Sequence, residues 1–175
     1  MNLIDEFLKN GIIETGNFTL KSGKKSDIYI DLRKSISFPN IHKKICDQLA
    51  EKIKVSHLDN LRICGTPYGA ISYTSYISIT NDIPMIFLRK EQKQYGTKKQ
   101  VEGVFNKGDN VILIEDVITT GGSVMESAQQ LEKEGLNIVQ IIAIVSRSEQ
   151  EVKYKNNSNN IISIESLIDF NTIVN

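Results

Sequence analysis

A chain of 175 residues is long enough for one well-packed domain and short for two. Lys plus Arg and Asp plus Glu number 21 each, so the net charge is zero, which argues against a general binder of nucleic acid or of anionic membranes. No apolar run reaches membrane-spanning length, and the N-terminal segment lacks the apolar core of a signal peptide.

Residues 1–10 (MNLIDEFLKN) predict a short amphipathic helix. In residues 18–33 (FTLKSGKKSDIYIDLR), a Lys21-Ser22-Gly23 turn followed by alternating Ile28, Ile30 and Leu32 predicts a hairpin. Over 40–54, Ile41, Ile45, Leu49 and Ile53 recur at helical spacing. His42 and Cys46 stand four apart on that helix, a spacing metal sites use, but no further Cys or His is near and packing is the expected role. The two cysteines, Cys46 and Cys64, form no CxxC and suit reduced, buried thiols, so a cytoplasmic location is expected.

A short apolar strand at 61–64 (LRIC) runs into a Gly/Pro turn at 65–70 (GTPYGA). The β-branched stretch to about Thr80 is read as helix, because a strand at 83–89 follows and parallel neighbours need a crossover. A strand at 111–115 leads into a helix on which Val124, Ala128 and Leu131 share a face and which Gly135 ends. A strand at 137–145 follows, then an exposed loop at 153–160 and, at 161–170, a strand turning into a short helix. Strand–helix–strand units in succession predict an α/β domain with a parallel sheet, and no linker divides residues 1–175.

The chemistry concentrates in three loops. In residues 111–123 (VILIEDVITTGGS), Thr119, Thr120, Gly121, Gly122 and Ser123 offer hydroxyls and approachable N–H groups at a helix N-terminus, a cradle for an anion such as phosphate. It is neither a Walker loop nor a GxGxxG turn. Glu115 and Asp116 just upstream would repel a phosphate unless they meet something else. Vicinal sugar hydroxyls, which donate two hydrogen bonds, meet that need, so a ribose 5-phosphate satisfies cradle and acids together. The plainer alternative is a helix cap, which needs one acid and no glycine pair. In residues 89–103 (RKEQKQYGTKKQVEG), Arg89, Lys90, Lys93, Lys98 and Lys99 crowd around Tyr95-Gly96; such a segment is either solvated surface or a cationic loop that closes on a polyanion. Lys21 in the first hairpin is, on residue physics alone, a surface lysine.

Together these segments resemble the type I phosphoribosyltransferases, and FTLKSG, IYIDLR and RKEQKQYGTKKQVEG resemble orotate phosphoribosyltransferase in particular, from about Leu8 to Phe170. The resemblance implies a type I phosphoribosyltransferase fold: a central, mostly parallel sheet flanked by helices, with a small N-terminal hood over 1–38 and a core over 39–175. It implies the conversion of orotate and 5-phosphoribosyl 1-diphosphate to orotidine 5′-monophosphate and pyrophosphate, with Mg²⁺ held mainly through the diphosphate substrate and no direct metal ligand. It also implies a homodimer whose lysine-rich loop is shared between subunits. By motif, Lys93, Arg89 and Asp116 become the catalytic residues. Glu115 and Asp116 would hold the ribose hydroxyls, with Val117 and Ile118 leading on, and Thr119, Thr120, Gly121, Gly122 and Ser123 would hold the 5-phosphate. Lys21, Tyr29 and Ile30 would line the base, Arg147 would meet the orotate carboxylate, Tyr68 and Gly69 would touch the diphosphate, and Arg89, Lys90, Lys93 and Tyr95 would form the closing loop.

Three positions depart from the family pattern. Ser146 precedes Arg147 where Asp is frequent and no glycine pair follows, Tyr95 stands where many bacterial members have His, and Gly69 where some have Lys. Two rivals remain at this stage: a phosphoribosyltransferase for a purine base, and a regulator that keeps the pocket but binds RNA. LKSG and the lysine-rich segment speak against the first, and the neutral charge against the second.

Overall fold

The computed structural model describes residues 2–19, 23, 25–53, 58–90 and 100–170. Contacts divide the chain into Met1–Ile45 and Cys46–Asn175.

The first unit opens with helix α1 (Leu3–Lys9), whose start is set by Asn2: its side chain accepts from the Asp5 N–H at 2.8 Å. Strands β1 (Ile13–Thr19) and β2 (Lys25–Ile30) pair antiparallel with a register shift between Thr15 and Phe18. Every second residue of β2 is turned inward, as the alternation predicts, but the strand stops at Ile30. Leu32 instead opens a 3₁₀ turn over Leu32–Ser37, where it is buried, with Asp31 accepting from the Arg33 N–H. Helix α2 (Pro39–Lys52) runs from the first unit into the second and buries Ile41, Ile45, Cys46 and Leu49 on one face. No helix among the described residues is long and apolar enough to cross a membrane.

The second unit is built on a six-stranded sheet. Its strands are β3 (Leu61–Gly65), β4 (Met85–Leu88), β5 (Val101–Glu102), β6 (Asn110–Ile118), β7 (Asn137–Ser146) and β10 (Glu165–Asp169), in the order β10-β7-β6-β3-β4-β5. All neighbours are parallel except β5, which closes the edge antiparallel to β4. The central strands read as continuous apolar runs because both faces are covered: Val111 to Ile114 and Ile141 to Val145 are entirely shielded. Helix α3 (Ile71–Asn81) links β3 to β4, and helix α4 (Gly122–Lys133) links β6 to β7. Thr74 and Thr80 return their hydroxyls to carbonyls of the preceding turn, at 3.0–3.1 Å and 2.9 Å, so this β-branched stretch satisfies its hydroxyls inside a helix. Gly135, at φ +88°, ends α4 as its sequence position predicts.

Two expectations are corrected at the C-terminal side. Residues 153–160 are not all exposed loop: β8 (Lys153–Lys155) pairs with β9 (Ile161–Ser163), and Tyr154 and Asn156 are buried. The Tyr154 hydroxyl donates to Glu132 of α4 at 2.6 Å. Residues 161–170 contain no helix, since Glu165–Asp169 adds to the open edge of β7 as a further parallel strand. An available sheet edge overrode a local pattern that suits either structure.

Candidate active site at the switch point of the sheet

From β3 the chain winds outward through α3 to β4, and from β6 it winds the other way through α4 to β7. The direction therefore reverses between β3 and β6. The turn after β3 (66–70) and the loop after β6 (119–121) both leave the carboxyl ends of these two parallel neighbours, where open α/β sheets bind ligands.

Strand β6 is longer than its sequence suggests. Its pairing with β3 ends at Gly65 opposite Ile114, whereas its pairing with β7 continues through Glu115, Val117 and Ile118. Glu115 and Asp116 are thus strand residues paired to β7 on one side and, on the other, facing the turn that follows β3. Glu115 is 5% exposed; its Oε1 accepts from the Thr66 hydroxyl at 2.6 Å and from the Asp116 N–H at 3.0 Å. Burial first, and then the side-chain hydrogen bond and charge of the neighbouring Asp116 carboxylate, push the Glu115 carboxyl up to about 8, against the Thr66 hydroxyl and the Asp116 N–H, which pull it down. Asp116, half-buried, accepts from the Val117 N–H at 2.8 Å through Oδ1. A Cβ on Gly69 would lie 1.8 Å from Asp116 Oδ2, so the absent side chain is what lets the turn approach the acid. The Pro67–Tyr68 peptide is cis.

Helix α4 begins at Gly122 with no side-chain cap, and Gly121 before it sits at φ +81°. Thr119, Thr120, Gly122 and Ser123 are exposed there, leaving first-turn N–H groups directed at whatever lies beyond. Cradle and acid pair are adjacent on one chain segment.

The remaining sequence candidates fall in several places. Tyr68 is 69% exposed, and Lys90 Nζ stands 5.7 Å from its ring centre, so the structure brings those two together. Arg89 is paired with Glu102 at 2.7 Å, across the β4–β5 edge. Ile118 is buried, and its carbonyl accepts from the Arg147 N–H at 2.7 Å, which places Arg147 beside the end of β6. The Arg147 guanidinium lies over the Phe170 ring at 4.7 Å, and burial pulls its pKa below the usual arginine range. Tyr29 and Ile30 belong to β2 in the first unit, with the Tyr29 ring 5.5 Å from that of Phe18. Lys21, Lys93 and Tyr95 lie outside the described residues. His42 Nδ1 stands 3.1 Å from the Ser35 hydroxyl, while Cys46 Sγ points to the Tyr73 carbonyl. Among the described residues no group of three or more His, Cys, Asp or Glu is placed to hold a metal ion. Thr66 was not among the sequence candidates, and no local pattern singles out a turn threonine whose partner is 49 residues away.

A family model for the phosphoribosyl transferase domain matches residues 38–175. The orotate phosphoribosyltransferase of Methanosphaera stadtmanae is 38% identical over 157 residues, covering 89% of this chain and 87% of its own. The chain belongs to the phosphoribosyltransferase family, on its orotate branch. The uridine 5′-monophosphate synthase of Bos taurus is 42% identical over 134 residues; that match takes in 77% of this chain and only 28% of the synthase. The crystal structure of the orotate phosphoribosyltransferase from Aeropyrum pernix superposes with a TM-score of 0.80 at 25% identity, covering 99% of this chain and 96% of that one. The mostly parallel sheet flanked by helices is the type I phosphoribosyltransferase fold expected from the sequence.

Proposed function

We propose that this chain is a pentosyltransferase that joins orotate to the ribose 5-phosphate of phosphoribosyl diphosphate, giving orotidine 5′-monophosphate and pyrophosphate for UMP synthesis. The observation that carries the reading is the acid pair on β6, a buried Glu115 beside a half-buried Asp116, with an uncapped helix N-terminus a few residues further on. A phosphate at Thr119, Thr120, Gly121, Gly122 and Ser123 leaves the ribose beside Glu115 and Asp116, whose carboxyl oxygens accept from its hydroxyls.

In the reaction the bond from C1 to the diphosphate oxygen breaks and its electron pair leaves on pyrophosphate. N1 of orotate forms the new bond to C1 and gives up its proton. Positive charge develops on the sugar and negative charge on the leaving group, and cationic donors stabilise the latter; one such donor is worth roughly 10²–10³ in rate. Mg²⁺ enters with the diphosphate as part of the substrate and offsets that charge. Tyr68 and Lys90, whose ring and ammonium stand 5.7 Å apart, take the diphosphate, and Arg147 takes the orotate carboxylate. Lys93, Tyr95 and Arg89 belong to the closing loop, which two subunits of a cytoplasmic homodimer share, and Lys21, Tyr29 and Ile30 line the base.

Loss of orotate absorbance in the presence of phosphoribosyl diphosphate and Mg²⁺ tests the reading, with uracil and purines as rival bases. Turnover of a purine and not of orotate would overturn it. For the shared loop, Lys93→Ala and Asp116→Asn chains are mixed. A shared site returns about a quarter of sites to full activity in an equal mixture, and a site built within one subunit returns none.

A further inference from the structure

The turn after β3 does more than approach the acid pair. Thr66 is 2% exposed, and its backbone N–H donates to the Ile114 carbonyl at 2.9 Å, one residue before the acids. Its carbonyl accepts from the Ala70 N–H at 3.2 Å, closing the turn, and its hydroxyl reaches Glu115 Oε1 at 2.6 Å. Gly65 before it leaves no room for a side chain, since a Cβ there would lie 2.7 Å from the Ala70 carbonyl oxygen. At the far end of the same turn, Gly69 gives up its side-chain space to Asp116. One turn therefore governs both acids, by a donor at its first residue and by a void at its fourth.

We propose that Thr66 is a positioning residue for ribose recognition, fixing the Glu115 carboxyl through Oε1 so that its other oxygen is the one offered to a sugar hydroxyl. The proposal rests on the ribose reading above and adds a residue to it. A threonine hydroxyl suits the task because it is anchored, through its own backbone, to the strand that carries Glu115. The donor and the acceptor cannot drift apart without breaking the Thr66–Ile114 bond. Both donors found for Glu115, Thr66 Oγ1 and the Asp116 N–H, converge on Oε1. Without the hydroxyl, only groups of the neighbouring Asp116, its N–H and its carboxyl, set the orientation, and both turn with the same strand.

Calorimetric titration with phosphoribosyl diphosphate and Mg²⁺ tests this on wild type, Thr66→Val, Thr66→Ser, Glu115→Gln and the Thr66→Val/Glu115→Gln double variant. Thr66→Val should weaken binding about ten-fold, the scale of one lost hydrogen bond, while Thr66→Ser stays within about two-fold of wild type. In the Glu115→Gln background, adding Thr66→Val should change the Kd by less than about two-fold, because residues that act through one another are not additive. The orotate KM should not move in Thr66→Val. If Thr66→Val does not fold, Thr66→Cys keeps the size, weakens the donor and serves in its place. Wild-type affinity in the Thr66 variant, or the same weakening with and without Glu115, overturns the positioning role. A wild-type chain that binds no phosphoribosyl diphosphate overturns the ribose reading itself, and the proposal with it.

Discussion

Strands β3 and β6 carry a pair of charged residues at each end, and the two ends treat charge in opposite ways. At the amino end, Arg62 of β3 meets Asp109, just before β6, at 2.9 Å, with the side chains 13% and 3% exposed. Arg62 also donates to the carbonyls of Leu61 and Val104, and Asp109 accepts from the Asn106 N–H. At the carboxyl end two acids stand side by side, and among the described residues no ion pair includes either of them. The first arrangement is closed, with donor and acceptor each satisfied from within. The second is unfinished until a donor arrives, and sugar hydroxyls are such donors.

The largest effect is expected at the closed end. Asp109→Ala strands a buried guanidinium and should cost about 3–5 kcal/mol of unfolding free energy. In the protein that remains folded, turnover should stay within a few-fold of wild type. Urea unfolding together with the kinetics checks both halves, and a large catalytic loss at full stability would break the contrast.

Asp116→Asn should do the reverse. Removing the charge of an acid proposed to read sugar hydroxyls is expected to lower kcat/KM for phosphoribosyl diphosphate about 10²–10³-fold, close to 3–4 kcal/mol of transition-state binding. The melting temperature should hold to within about 2 °C. Normal turnover would remove Asp116 from the site.

A smaller effect sharpens the meaning of the unfinished end. Burial, followed by Asp116, raises the Glu115 carboxyl from 4.5 to about 8, so the folded chain keeps a proton that the unfolded chain releases near pH 4.5. That contribution to stability is complete below pH 4.5 and is lost as the pH rises through about 8. Wild type should therefore lose on the order of 3 kcal/mol between pH 5 and pH 8.5 that Glu115→Gln retains. The groups acting on Glu115 are Asp116 on its own strand and the Thr66 hydroxyl on the facing turn, with Ala143 paired beside it on β7. Parallel pH–stability curves for the two proteins would show that the acid pair carries no such strain.

The smallest effect comes from Gly69→Ala. The added methyl displaces the end of a rotatable carboxylate and not backbone, so an overpacking cost of about 1 kcal/mol is expected. It should appear as a KM for phosphoribosyl diphosphate raised about five-fold, with the orotate KM unchanged. Equal changes in both would mean that the turn has moved as a whole.

Legibility varied with how local each signal was. The helix at 40–52 and the strands around Ile112 and Ile142 follow from periodicity and apolar runs that lie within single elements. The acids and the glycine loop were readable because their residue types at that spacing fit few other purposes. The strand at Glu165–Asp169 was not readable, since its only distinction is the free edge of β7. The hairpin of Lys153–Lys155 and Ile161–Ser163 was hidden in a polar run, because Tyr154 is buried in a cluster with distant residues such as Leu131 and Ile138 and donates to Glu132, 22 residues earlier.

By itself, the sequence determined that this is an α/β domain with an acid pair and a glycine-rich turn on one strand–loop–helix segment. Those features depend on neighbours within a few residues, where propensity, period and backbone freedom are written directly into the chain. Tertiary structure alone decided that β6 runs on to Ile118, so that Asp116 lies on the strand along with Glu115. It alone decided that winding reverses between β3 and β6, and that Thr66 holds Glu115 from 49 residues away. Each of these turns on strand order or register, and the pairing energy that sets them comes from residues far apart in the chain, where no local pattern records it.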